Sequence, residues 1–285
     1  MKGFRILIIA MLLLSFSSQS VFAANQIKVG ASVESAYQSQ GNCAHGDRVT
    51  NVYVDNFINE ITYDPLFGDP VATKLFKWQD NDAWEEDLLH SGMYGISYDN
   101  VDDVDFMVFS GHGYSQGLHG VPYNSCHYYT LNSSSNFHPS GDEGERDGQA
   151  NADSYEIWWG YDSDGVNPIT KWVTTYSCNF LNTSGSYWSS IMQGVHLVMG
   201  FGSVMYIIGD EGKMYGKKLR EGAEIKTAFF DSAMQYQPQN STPTVVRVLG
   251  AAISEHDKIT QYSTKPSAIE GSDTYYYWTI TVQPN

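Results

Sequence analysis

Val104-Asp105-Phe106-Met107-Val108-Phe109-Ser110-Gly111-His112-Gly113 and Trp172-Val173-Thr174-Thr175-Tyr176-Ser177-Cys178 are two short apolar runs, each closing on a residue capable of acid-base or nucleophilic chemistry. A continuous apolar run of five or six residues is what a strand covered on both faces requires, and strands of that kind belong to parallel sheets. In an open α/β sheet, ligands bind outside the carboxyl ends of the strands. A His and a Cys closing two neighbouring parallel strands therefore meet in one crevice. A thiol beside an imidazole is the minimal apparatus for covalent hydrolysis.

Further strands and helices can be read outward from these two runs. Ile27 to Val33 reads as a strand and Thr50 to Ile61 as a helix, with Val52, Val54, Phe57, Ile58 and Ile61 spaced for one apolar face. Lys74 to Trp78 reads as a short strand, and Asp80-Asn81-Asp82 offers caps to a helix over 83–89. After the second apolar run come a helix over 184–193 and a strand over 195–201. Helical spacing then covers 214–219 and 223–235, interrupted at Gly222, and Val245 to Ile253 supplies a last apolar strand. Six strands separated mostly by helices predict an α/β fold, a mostly parallel six-stranded sheet with helices on both faces. Residues 114–168, rich in Gly, Ser, Asn, Asp and aromatics, read as loops and a hairpin inserted at the rim of the sheet. Residues 254–285 form an extension in which Tyr275 to Val282 has the composition of an added edge strand.

Lys2 and Arg5, the apolar stretch Ile6 to Leu14, and Val21-Phe22-Ala23 before Ala24 have the form of a signal peptide over residues 1–23. The expected location is secreted or periplasmic, with the α/β domain spanning 24–253. The net charge of −16 becomes −18 once Lys2 and Arg5 are removed. Such a surface disfavours nucleic acid and anionic membranes, both of which are bound through Lys and Arg clusters. No dinucleotide fingerprint or phosphate loop follows any strand; Gly111-His112-Gly113 and Gly200-Phe201-Gly202-Ser203 have neither the spacing nor the Lys. Three cysteines in an exported chain leave at least one thiol unpaired. Cys43 and Cys126 lie in polar loops and are the candidate disulfide, which leaves Cys178 as a thiol.

The strand ending in Ser110-Gly111-His112-Gly113 and the strand ending in Tyr176-Ser177-Cys178-Asn179 resemble the caspase-like cysteine peptidases, which include gingipains, clostripain, legumain and the CHAT domains. Gly194 to Ser203 looks like the next strand of the gingipain and CHAT branch, and Gly222 to Phe229 and Trp78 to Glu85 also fit a group of exported bacterial proteins on this fold. The resemblance covers residues 27 to 253. It implies His112 as general base and acid, Cys178 as nucleophile, and the N–H groups of Gly113 and Cys178 as oxyanion donors. A peptide or protein substrate follows from the same resemblance, and no cofactor is required.

Peptidases of this type that cleave after Arg or Lys often hold an acidic residue near the Cys, in some cases an Asp two positions before it. Tyr176 stands there, so a basic preference does not carry over. Asp210 and Glu211 are the candidates for an acid supplied from elsewhere in a substrate pocket, although Gly209 and Gly212 around them favour a solvated turn. Asp162-Ser163-Asp164-Gly165 has the alternating carboxylates of a calcium loop but lacks the bidentate Glu of an EF-hand. An ordinary acidic loop is the expected reading, with calcium at Asp162 and Asp164 as the alternative. His112, His119, Cys126, His127 and His138 have zinc-binding types without zinc-site spacing, and His119 reads as a rim residue because no apolar run precedes it. The rival to a hydrolase is a catalytically silent binding protein that offers Tyr123, Tyr128, Tyr129, Trp158, Trp159 and Tyr161 to a partner or glycan.

Overall fold

The computed structural model describes residues 26–33, 51–63, 71–79, 83, 87–90, 95, 97–114, 117–118, 152–153, 157–160, 169–182, 191–264 and 274–285. Its centre is an eight-stranded mixed sheet. Strands β1 (Ile27–Val33), β2 (Ala72–Lys74), β3 (Trp78–Gln79), β4 (Phe106–Ser110), β8 (Trp172–Tyr176) and β9 (Leu197–Phe201) run parallel. β10 (Thr244–Ala251) is antiparallel to β9, and β11 (Tyr275–Val282) is antiparallel to β10. The strand order is β11-β10-β9-β8-β4-β1-β2, with β3 pairing β1 off that path. A separate small sheet joins β5 (Gly113–Tyr114), β6 (Gly117–Leu118) and β7 (Ala152–Asp153), so a hairpin leaves the main sheet immediately after His112.

Every residue of β4, β8 and β9 is buried, which is why each reads as an unbroken apolar run. Alternate residues feed two cores. Phe106, Val108, Trp172, Tyr176, Leu197 and Met199 face one, while Met107, Phe109, Val173, Val198 and Leu249 face the other.

Three helices lie on the first of these faces: α1 (Asn51–Ile61), α2 (Gly209–Arg220) and α3 (Ile225–Tyr236). α1 buries Tyr53, Val54, Phe57, Ile58 and Ile61 at helical spacing. Gly212 and Gly216 put the α2 backbone directly on α1, since a Cβ at Gly216 would fall 2.7 Å from the Phe57 carbonyl and one at Gly212 would strike that of Tyr53. Gly222, at φ +86°, separates α2 from α3, so the interruption read in the sequence is a break between two helices.

The expected layout needs one correction. The sheet has eight strands rather than six, because β11 adds the anticipated edge and the strand expected over 74–78 is two pieces. Between Val29↔Lys74 and Ser32↔Trp78 the register slips by one residue, with Leu75 and Phe76 still bonded to β1 through Val29 O and Ala31 N–H, and the Phe76 ring covers Gly30, where a Cβ would collide with it. The second face buries Ile191, which is helical. It is also covered by 3₁₀ turns (Ser97–Asp99, Val101–Asp103) and by loop residues such as Leu88, Leu89, Val104, Trp159 and Phe180. The helices expected over 83–89 and 184–193 lie largely outside the described residues. No described helix is long and apolar enough to cross a membrane.

Buried polar groups fix the strands at their amino ends. Asp105 accepts the Lys28 N–H at 2.7 Å, and its carboxylate lies 3.7 Å from the Lys171 ammonium. The buried Asp257 carboxylate accepts from the Trp172 indole at 2.9 Å and pairs with His196 at 2.8 Å. β4, β8 and β9 thus start in step, and their carboxyl ends arrive in step as well.

Candidate functional site

Ser110, the last residue of β4, pairs with Tyr176, the last residue of β8. His112 and Cys178 each lie two residues beyond that pair, on adjacent parallel strands about 5 Å apart. The Gly111 N–H still donates to the Tyr176 carbonyl at 3.4 Å, which carries the pairing past the strand end. Gly113 then lies directly against the second turn. A Cβ there would sit 2.5 Å from the Cys178 carbonyl oxygen and 2.7 Å from Ser177 Oγ. The two turns therefore touch backbone to backbone, and only glycine allows the approach.

Cys178 is half-buried, packed against the helix-side core, and its sulfur is a thiol rather than half of a disulfide. The Met205 N–H donates to Sγ at 3.4 Å, and the Cys178 S–H donates to the Met205 carbonyl at 3.7 Å. The first bond suits a thiolate and the second a thiol, so together they fix where the sulfur sits without selecting its charge state. Asn179 follows at φ +58°, a left-handed conformation that Asn tolerates better than most residues. From there the chain hangs on β9, with Asn179 N–H donating to Ser203 O at 3.0 Å and Leu181 N–H to Phe201 O at 2.9 Å. His112 is half-buried, with its Nε2 closed off from solvent.

Tyr176 and Glu211 come together beneath this site, and Asp210 does not join them. Tyr176 is fully buried and stacks on Tyr53, with ring centroids 3.4 Å apart. Its hydroxyl lies 2.8 Å from Glu211 Oε2 and 2.9 Å from the Tyr206 carbonyl, and it accepts the Ile208 N–H at 3.2 Å. Gln237 Nε2 donates to the same Glu211 oxygen at 2.6 Å. The solvated turn expected for Asp210 and Glu211 is thus corrected for Glu211, which is 1 % exposed in the first turn of α2, whereas Asp210 is exposed. Position 176 is occupied by an aromatic ring, and the one buried carboxyl nearby is engaged by that ring's hydroxyl.

Burial raises the Glu211 carboxyl to about 7, with the bonds from Tyr176 and Gln237 acting in the opposite direction. A carboxyl whose folded-state pKa is raised keeps its proton where the unfolded chain has lost it. Its effect on stability is therefore unfavourable, growing as pH rises from about 4.5 to about 7. Asp102, raised to about 7 chiefly by burial, acts in the same direction at the far end of the sheet. Glu211→Gln is expected to leave stability near pH 4.5 almost unchanged and to raise it at pH 8 by on the order of 2–3 kcal/mol, at about 1.4 kcal/mol per pKa unit. Urea unfolding of both proteins at the two pH values checks this. Parallel curves would mean that Glu211 is ionised in the fold throughout.

Among the described residues, no group of three or more His, Cys, Asp or Glu is placed to hold a metal ion. Asp162, Asp164, Cys43, Cys126, His119, His127 and His138 lie outside the described residues, as do Tyr123, Tyr128, Tyr129 and Tyr161. Trp159 is buried and donates to the Leu88 carbonyl at 3.3 Å, so it is core rather than a recognition surface. Sequence reasoning missed Met205 and Gln237. Both reach the site only because β9 packs beside β8 and α3 packs on β9, relations with no local signature.

Comparison with the curated proteins finds no match. The model of one family matches residues 32–282, from the second half of β1 to the end of β11, and so takes in both turns of the site and the strands that position them. By that match the chain belongs to the family described as Domain of unknown function (DUF6345).

Proposed function

We propose that this protein is an exported cysteine hydrolase of the caspase-like type, a peptidase that works through His112 and Cys178. The observation that carries the reading is the in-step arrival of the two strand ends, with Gly113 lying against the Cys178 carbonyl. The thiol of an ordinary Cys, with a pKa of about 8.5, is mostly protonated at neutral pH. His112 takes that proton, and the Met205 N–H supports the resulting thiolate. The sulfur attacks the peptide carbonyl, and the oxyanion is met by the N–H groups of Gly113 and Cys178. As the tetrahedral adduct collapses, His112 returns the proton to the leaving amine and a thioester remains on Cys178. Water, deprotonated by His112, attacks the thioester and releases the acid and the thiol. Nothing in this sequence of steps calls for a metal or cofactor.

The strongly acidic chain favours the approach of cationic peptides through long-range attraction. In a screen of the mature protein against a mixed peptide library, the reading expects discrete cleavage products that vanish in Cys178→Ala. Cleavage that survives Cys178→Ala in a folded protein would end it.

A further inference from the structure

The strand β11 and its neighbour β10 lie beyond the site in sequence, yet one side chain from β10 returns to the nucleophile turn. Arg247 Nη1 lies 2.5 Å from the Leu181 carbonyl and 2.8 Å from the Asn182 carbonyl, one N–H for each. The guanidinium fills the space over Gly202, where a Cβ would come within 3.0 Å of Cζ. Its other side faces Tyr277 of β11, with Cζ 6.0 Å from the ring centroid. Tyr277 pairs with Leu249, two residues along β10 from Arg247, the diagonal placement from which a long side chain can reach a ring across an antiparallel pair.

We propose that Arg247 is a positioning residue for Cys178, and that β11 holds Arg247 in place for that task. The inference rests on the peptidase reading for its catalytic consequence, though not for its structural one. The turn from Ser177 to Asn182 has two sets of backbone groups to secure. Its N–H groups at Asn179 and Leu181 are taken by the end of β9. Its outward carbonyls at Leu181 and Asn182 are taken by Arg247. A charged donor to backbone carbonyls is stronger than a neutral one. With Asn179 left-handed, the turn depends on both attachments to keep the thiol under the Met205 N–H and beside the His112 turn. Displacement of a reacting group by about 1 Å is enough to cost on the order of 100-fold in rate.

The test compares Arg247→Met, which keeps length and apolar contact but has no donor, with Arg247→Lys, which restores a charged donor with N–H groups enough for both carbonyls. Three readouts are taken: kcat and KM separately, the pH profile of Cys178 alkylation, and amide exchange at Asn179 and Leu181. Arg247→Met is expected to lower kcat about 10- to 100-fold, the range a small displacement produces, with KM nearly unchanged. Its alkylation profile moves to higher pH, and the two amides exchange faster while those of β4 keep their protection. Arg247→Lys recovers most of each effect. If Arg247→Met does not fold, Tyr277→Leu is expected to give the same changes to a smaller extent. An unchanged alkylation profile and unchanged exchange in the folded variants would overturn the proposal. Amide exchange requires no turnover, so a wild-type protein that hydrolyses nothing would sink the peptidase reading while leaving the anchor to be judged on exchange alone.

Discussion

His112→Ala is expected to slow two reactions by different amounts, and the difference reports what the imidazole does. Alkylation of Cys178 at pH 7 needs thiolate but no proton transfer to a leaving group. A thiol of pKa about 8.5 is about 3 % ionised there, so full activation by His112 is worth at most about 30-fold, and the variant falls by no more than that. Peptide hydrolysis also needs a proton delivered to the leaving amine and one removed from water. General acid-base catalysis of that kind is worth about 10²–10⁴-fold, so hydrolysis falls further than alkylation. Stopped-flow alkylation and steady-state hydrolysis on the same two proteins measure both. Equal alkylation rates in wild type and variant would show that His112 does not act on Cys178, whatever the strand register suggests.

Gly113→Ala carries the second large effect because it introduces a methyl group where there is no room. The nearest atoms to the new Cβ are the Cys178 carbonyl oxygen at 2.5 Å and Ser177 Oγ at 2.7 Å. The oxygen is backbone, in a turn tied to β9 at Asn179 and Leu181, and cannot swing aside as a long side chain would. The His112 turn has to back away by most of an ångström to restore ordinary contact. Overpacking of this kind costs about 1–3 kcal/mol of stability, and if His112 and Cys178 act as proposed, their separation costs about 100-fold in hydrolysis. Thermal unfolding and kcat/KM measured together test the pair of effects. A fully active, fully stable variant would show that the two turns are not in contact in solution.

The strands that build the site were legible for a physical reason. β4, β8, β9 and β10 lie in a sheet covered on both faces, so each had to be a near-continuous apolar run, and His112 and Cys178 stood out as reactive residues closing two of them. α1 was legible through its spacing. The division of the strand near residue 76 was not, because it depends on Phe76 meeting Gly30 on another strand. Part of the cover of the second face was illegible for a similar reason. Leu88, Leu89, Val101 and Val104 cover it from turns that have no periodicity to read.

Glu211 shows the limit most clearly. Set between Gly209 and Gly212 it looks like part of a polar turn, and local rules make it exposed. Gly212 and Gly216 instead let α2 settle on the backbone of α1, which carries Glu211 inward to the Tyr176 hydroxyl. Arg247 and Met205 were invisible in the same way, since their contacts with the Cys178 turn cross 66 and 27 positions of sequence. What chain neighbours decide could be read; what α2, β10 and the end of β9 decide by packing could not.

The most direct test of the central claim is the labelling of wild-type mature protein with a panel of peptidyl thiol-reactive electrophiles, followed by mass mapping and a pH series. The expected result is fast modification confined to Cys178, a rate that varies with the peptide attached to the electrophile, and a thiolate that persists well below pH 8.5, the pKa of an ordinary thiol. Modification of Cys178 no faster than that of a model thiol, and indifferent to the attached peptide, would contradict it.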